Sequence, residues 1–313
     1  MKKFKSVVAF GEVLWDLLTD GPVLGGAPLN FINRIRELGH SASMISRVGQ
    51  DELGIEALEN MKSLDLNTRY IQSDPMHPTG KVEVFLDTES NADYHIIENV
   101  AYDFIEWEDK LSELADSADF LCFGTLAQRS QQSRHTLERF VRDFNGEHLL
   151  CDINLRKDCY STEIIAQSLE YCTICKMNDD ELQVLAGLLQ LKGDSAEYFA
   201  QDLVDRFRLR YLLVTLGNRG VFALSSDGQK VYEPAPKVEV VDTIGAGDSF
   251  TAGFAHSLLN GASLREACRH GSLIGGMVAT QKGGTQPLNA ADLERFRRDL
   301  RYGPEEPSFS KYR

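Results

Sequence analysis

The chain has 313 residues, and 33 lysines and arginines face 47 aspartates and glutamates, a net charge of −14. Hydrophobic residues make up 42% and charged residues 26%, the balance of an ordinary globular protein with chain enough for one large domain or two. The acidic surplus argues against general affinity for nucleic acid or anionic membranes, no apolar stretch approaches the ~18 residues of a membrane span, and six cysteines without a regular framework fit a reducing cytoplasm.

In chain order, Ser6–Phe10 is an apolar run expected as a first strand, and Val7–Phe10 is too short for a signal-peptide core. Val13–Val23 follows without helical spacing. Gly26–Leu38 carries Leu29, Ile32, Ile35 and Leu38 at near-helical intervals and stops at Gly39. Ser41–Ser46 reads as a strand and Asp51–Leu64 as a helix with an acidic first turn. Lys81–Leu86 and Tyr94–Ile97 are alternating runs around the turn-rich Asp87–Asp93. With Val13–Val23 they read as a small antiparallel sheet with an uncovered face, a lid over a site or a dimer surface.

The remainder alternates. Strands are predicted at Phe120–Phe123, His148–Asp152, Thr173–Met177 and Tyr211–Leu216, and helices at Gln131–Phe144, Thr162–Glu170, Asp179–Leu188 and Ala196–Phe207. That is the pattern of a mostly parallel sheet with crossover helices, an α/β fold. The expected division is an α/β body of residues 1–12, 24–78 and 99–303, a β lid of residues 13–23 and 79–98, and an irregular, mobile tail of residues 304–313. Cys172 and Cys175 have the C-x-x-C spacing of redox and zinc sites, but no second such pair exists, and if the apolar run Tyr171–Met177 is one buried strand they point to opposite faces. They read as core residues, as do Cys122, Cys151 and Cys268. His95, His256 and His270 read as structural.

The strongest chemical signal is Asp242-Thr243-Ile244-Gly245-Ala246-Gly247-Asp248, which leads into an apolar helix predicted over Phe250–Leu259. Small residues before a helix let its unpaired N–H groups face an anion, and the helix dipole favours negative charge there. Gly245, Ala246 and Gly247 therefore form a candidate anion hole, with the Asp248 carboxylate aimed at the same spot. An anion cradle beside a carboxylate base is what phosphoryl transfer to a hydroxyl requires. A dinucleotide fingerprint fails, because its third glycine would fall at Phe250, and no stretch matches a Walker P-loop. A plain helix-capping loop is the competing reading.

This string resembles the signature of the ribokinase-like (PfkB) carbohydrate kinases, and Gly25-Gly26-Ala27-Pro28-Leu29-Asn30 resembles that family's N-terminal signature. The likeness is closest to fructokinases, through Gly11-Glu12-Val13-Leu14-Trp15-Asp16, Asp152-Ile153-Asn154-Leu155-Arg156 and Glu98-Asn99-Val100-Ala101-Tyr102-Asp103. Ala27 stands where ribokinases and sugar-phosphate kinases usually carry lysine, and Leu29, Phe31 and Ile32 are bulkier than usual. The resemblance implies a ribokinase-like fold with a small β lid. It implies an ATP-dependent kinase whose expected acceptor is fructose, the alternatives being 2-keto-3-deoxygluconate, a nucleoside, or a sugar-binding regulator without catalysis.

The resemblance also implies site roles. Asp248 would be the base and Gly245, Ala246 and Gly247 the anion hole. Asp16, Gly25, Gly26, Asn30 and Arg156 would bind the sugar, whose hydroxyls need both donors and acceptors. Asn178 would lie near the phosphates, with Glu181 organising Mg²⁺ through water, although the two also fit a capping box. Thr215, Gly217 and Gly220 would form a nucleotide-binding turn. Ser272–Gly284 would flank adenine, and with the loop before Asp248 it would hold a monovalent cation such as K⁺. A homodimer paired through the lid is expected.

Overall fold

The computed structural model describes residues 4–18, 21–86, 92–157 and 159–313, so most of the stretch Asp87–Asp93 lies outside them. In chain order the elements are β1 (Ser6–Phe10), β2 (Leu14–Leu18), β3 (Gly21–Gly25), α1 (Ala27–Glu37), β4 (Ser41–Gly49), α2 (Glu52–Ser63), β5 (Ile71–Asp74), β6 (Gly80–Leu86) and β7 (Ala92–Ile96). Next come α3 (Lys110–Ser117), β8 (Phe120–Gly124), α4 (Gln131–Asp143), β9 (His148–Asp152), α5 (Thr162–Tyr171), β10 (Ile174–Asn178), α6 (Asp179–Leu188) and α7 (Ala196–Phe207). The chain ends with β11 (Tyr211–Thr215), β12 (Val221–Ser225), β13 (Lys230–Glu233), α8 (Ala246–Leu259), α9 (Leu264–Val278) and α10 (Ala290–Arg298).

Among the described residues nine strands form one sheet, in the order β13-β12-β11-β10-β9-β8-β1-β4-β5. All neighbours pair in parallel except β12, which is antiparallel to both β11 and β13. Helices cover both faces, which is why the inner strands are apolar throughout rather than alternating. Along β1, Val7 and Ala9 enter the core on one face while Val8 and Phe10 enter the other. Parallel strands of this kind open their carboxyl ends to ligands.

The lid is a second sheet in the order β3-β2-β6-β7. Two antiparallel pairs flank a parallel central pair, β2 with β6. Its outer side is not bare along β2, because Trp15 is buried and its Nε1–H donates to the Leu53 carbonyl of α2 at 2.9 Å. The segment Glu98–Asp103 anchors its base. Asp103 accepts from Arg129 Nε and Nη2 at 2.8 and 2.9 Å, and Arg129 Nη2 also donates to the Ile97 carbonyl at 2.7 Å. The chain leaving β7 is thus clamped to the body by a buried bidentate pair.

Three expectations need correction. Helix α8 starts at Ala246, four residues before Phe250, because Gly245 takes the left-handed N-cap conformation (φ 72°) and lets the glycine-rich string become its first turn. Cys172 precedes β10 and caps α5, so strand alternation does not separate it from Cys175; the two share one core with Cys151, and burial pushes the Cys175 thiol up. Finally, the tail is irregular but packed. Phe309 is 4% exposed and its ring stacks on Phe222 at 4.0 Å.

Candidate active site

A cleft of about 1330 Å³ opens at the carboxyl ends of the sheet, beneath the lid. It gathers most of the residues picked out from the sequence. Asp16, Gly26, Asn30, Arg156, Asn178, Thr215, Gly217, Gly220, Gly245, Ala246, Gly247 and Asp248 all line it. Leu14, Val82 and Ile96 bring the lid to its wall. Gly25 and Glu181 stand just behind it, each for a visible reason. A Cβ on Gly25 would sit 2.7 Å from Asp16 Oδ2, so this glycine makes room for the carboxylate.

Asp248 occupies the third position of α8, where a carboxylate meets the positive end of the helix dipole. Its Oδ2 accepts from Asn30 Nδ2 at 2.8 Å, joining the two signature motifs across 218 residues. Burial and the neighbouring Asp152 charge push its pKa up to about 6, against the opposing pull of Asn30, Lys176 and Arg156. Of the anion-hole amides, that of Ala246 donates to the Thr243 carbonyl at 3.2 Å, closing the turn that starts the helix.

Beside this helix end lies a buried charge network that the motif reading passed over. Lys176 Nζ is 3.0 Å from both oxygens of Asp152, and Thr251 Oγ1 donates to Asp152 Oδ2 at 3.2 Å. Burial pulls the Lys176 pKa down, but the carboxylates of Asp152, Glu181 and Asp248 outweigh it and hold the ammonium above its usual range. The ammonium lies only 3.4 Å from where a Cβ on Gly247 would stand, so the cationic end of the Lys176–Asp152 pair faces the N-terminus of α8. The one signal in the sequence was a lysine inside an otherwise apolar strand.

Glu12 is a second residue left without a role by the sequence. It is 5% exposed, lines the cleft, and accepts from the Ala27 N–H at 3.2 Å at the start of α1. Burial raises its pKa to about 7, with Arg156 pulling the other way. Gly26 packs on its backbone so tightly that a Cβ would fall 2.4 Å from the Glu12 carbonyl, and its φ of 118° excludes other residues. Asp16 on β2 is likewise raised by burial, opposed by Arg156. Arg156 itself is exposed, a cation at the mouth of an acidic pocket.

The capping-box reading of Asn178 and Glu181 is realised. Asn178 Oδ1 accepts from Glu181 N at 2.7 Å and Glu181 Oε2 accepts from Asn178 N at 2.8 Å, a complete capping box. Glu181 Oε1 also accepts from Leu155 N at 2.8 Å, so each carboxylate oxygen is committed to the backbone. Among the described residues no group of three His, Cys, Asp or Glu could hold a metal. A hard cation here would therefore be held mainly by ligand oxygens and water, with Glu181 behind, a donor set that suits Mg²⁺. Asp242 ties the loop before α8 to the one after α9, accepting from Ile244 N at 2.9 Å and Gly283 N at 3.0 Å. His256 and His270 lie toward the other end of α8 and on α9, with ring centroids 5.4 Å apart and His40 Nε2 2.9 Å from His256 Nδ1.

The arrangement can be set beside known proteins. The profile of the pfkB family carbohydrate kinases matches residues 19–291. A fructokinase of Klebsiella pneumoniae is 28% identical over 302 residues, covering 90% of this chain and 95% of its own. A deoxyribokinase of Salmonella typhi is 26% identical over 261 residues, covering 83% and 82%. The crystal structure of a fructokinase double mutant from Vibrio cholerae, in fructose-, ADP- and potassium-bound form, superposes with a TM-score of 0.80 at 23% identity, over 95% of this chain and 99% of that one. No helix among the described residues is long and apolar enough to cross a membrane. Two signature motifs joined at Asp248, a β lid over the cleft and a family match across 273 residues lead to one conclusion: the chain belongs to the pfkB family of carbohydrate kinases, phosphotransferases acting on a sugar hydroxyl.

Proposed function

We propose that this kinase transfers the γ-phosphoryl group of ATP to a hydroxyl of fructose. The observation that carries the reading is Asp248, an acid of pKa about 6 at a helix N-terminus, oriented by Asn30 inside the cleft. As the sugar oxygen attacks phosphorus and the bond to ADP breaks, Asp248 takes the hydroxyl proton. The amides of Gly245 and Gly247 and the Lys176 ammonium stabilise the charge on the transferring group, the Ala246 amide being held by the Thr243 carbonyl. Asp16, Gly26, Asn30 and Arg156 hold the sugar, with Gly25 giving Asp16 its space. Asn178, Thr215, Gly217 and Gly220 receive the nucleotide.

Mg²⁺ would be held by phosphate oxygens and water in front of Glu181, and it would supply neutralisation of phosphate charge. The loops tied by Asp242 are where a monovalent cation such as K⁺ belongs. Fructose is favoured because Ala27 places no cation in the sugar-binding turn, which fits an unphosphorylated sugar, and because the fructokinase of Klebsiella pneumoniae aligns over nearly its whole length. Six free cysteines are in keeping with a cytoplasmic enzyme. A homodimer through the lid completes the reading.

A panel of sugars, sugar acids and nucleosides with coupled ADP detection tests the acceptor; fructose should rank among the best by kcat/KM. Asp248→Ala should lower kcat by at least ~10²-fold, the low end for general-base catalysis. Near-normal turnover in that variant would defeat the mechanism, and tight sugar binding without ATP consumption by the wild type would point to a regulator.

A further inference from the structure

The C-terminal segment reaches the cleft at the turn assigned above to the nucleotide. Tyr302, Gly303 and Pro304 line the same cavity as Thr215, Gly217 and Gly220. The segment is laid down by backbone pairing. Lys237 N donates to the Arg301 carbonyl at 2.7 Å, Gly303 N donates to the Ala235 carbonyl at 2.8 Å, and Pro236 and Tyr302 form an antiparallel bridge between them. Contact with the turn is close, for a Cβ on Gly303 would fall 2.7 Å from the Asn218 carbonyl.

Side chains extend the connection in both directions. Arg219, inside the turn, pairs with Glu306 of the tail and with Asp179, the first residue of α6 and the neighbour of Asn178. The Tyr232 hydroxyl donates to the Arg219 carbonyl at 2.6 Å and accepts from Glu306 N at 2.7 Å. Farther along, Phe309 stacks on Phe222, Tyr312 O accepts from Arg265 Nη2 at 2.7 Å, and Lys311 pairs with Glu197 at 3.1 Å. Burial raises Glu306, but the Arg219 guanidinium wins and holds its carboxyl below the usual range.

We propose that residues Arg301–Arg313 belong to the nucleotide site: Tyr302–Pro304 form one of its walls, and Glu306, acting through Arg219, is a positioning residue for the turn at Gly217–Gly220. This rests on the reading of that end of the cleft as the ATP end. An uncharged wall of tyrosine, glycine and proline suits the ribose and base of a nucleotide rather than its phosphates. The sugar, beneath the lid, makes no use of the tail, so disturbing the tail should separate the two substrates kinetically.

Gly303→Ala pushes a methyl group against the turn, and Glu306→Gln removes the tail's charge at constant shape. Full steady-state kinetics on the intact chain, with ATP and fructose each varied, should show KM for ATP rising about fivefold or more in both variants, while KM for fructose stays within about twofold. Glu306→Asp should recover most of the loss. Unchanged KM for ATP in two folded variants would overturn the proposal, as would an equal rise in both KM values accompanied by a fall in Tm. Should Gly303→Ala fail to fold, Glu306→Gln alone decides. If the wild type shows no ATP consumption, the functional reading falls and takes this proposal with it; if the wild type is active and the variants match it, only the tail inference falls.

Discussion

Asp248 must be ionised to accept a proton, yet its surroundings favour the neutral acid. With its pKa at about 6, kcat/KM should rise tenfold per pH unit below that value and level off above it. The same shift acts on stability with the opposite sense. A carboxyl whose folded pKa exceeds its unfolded value binds its proton more tightly when folded. Its contribution is fully present below the unfolded pKa and is lost as pH rises through about 6. Asp248→Asn keeps an acceptor for Asn30 and carries no charge, so it should be inactive and more stable than the wild type by about 3 kcal/mol at pH 8. By pH 4 the gain should be gone. Urea unfolding at the two pH values measures both; equal stability at pH 8 would mean that the carboxylate is not strained. Why Asp248 could be given a role from the sequence while Lys176 and Asp152 could not is a matter of register. Asp248 sits in a local string, whereas Lys176 and Asp152 are cross-strand partners on β10 and β9, a pairing no local pattern encodes.

Elements with a strong period were legible and those held by distant contacts were not. The bounds of β9, α6 and α7 were foreseen to the residue, since apolar runs and helical spacing are local properties. The start of α8 was not, because a left-handed glycine N-cap looks like loop until its partners are known. A Cβ on Gly245 would lie 2.5 Å from Gly284 Cα, and that contact spans 39 residues. The tail offered no period at all, only Phe309 and its long-range stack on Phe222. Of the lid strands, β6 and β7 were readable from alternation, while β2 and β3 showed only as a stretch without helical spacing, and the order of the four was not legible. That order leaves β3 and β7 as edges without a strand partner among the described residues. Exposed edges invite pairing, and here Trp15 under α2 closes the face of β2, leaving the edges as the adhesive feature. Sedimentation velocity at micromolar concentration should therefore show a dimer of the 35.0 kDa chain. A monomer at ~10 µM, above the range of stable obligate pairing, would remove the lid as an interface.

At the scale of the whole molecule the enzyme carries −14 and is asked to bind a polyanion. Attraction is concentrated in the cleft, at the helix end at Gly245–Gly247 and at the cations that line it, Lys176, Arg156, Lys157 and Lys237, while the net charge of the rest of the surface repels. The Debye length falls from ~30 Å at 0.01 M to ~8 Å at 0.15 M salt. Over that range the long-range repulsion is screened, but contacts inside the cleft are not. The capture of Mg·ATP should accordingly speed up with ionic strength, the reverse of a basic nucleotide-binding protein, by a factor of about two to five. Turnover at saturation should hold steady, because the encounter is then no longer limiting. The measurement is kcat/KM for ATP against tetramethylammonium chloride, with the Mg²⁺ and K⁺ concentrations fixed. A fall with salt would show instead that Lys176 and Arg156 project their field beyond the cleft and outweigh the acidic surface. Fructose, being neutral, supplies the internal control, and its kcat/KM should not respond.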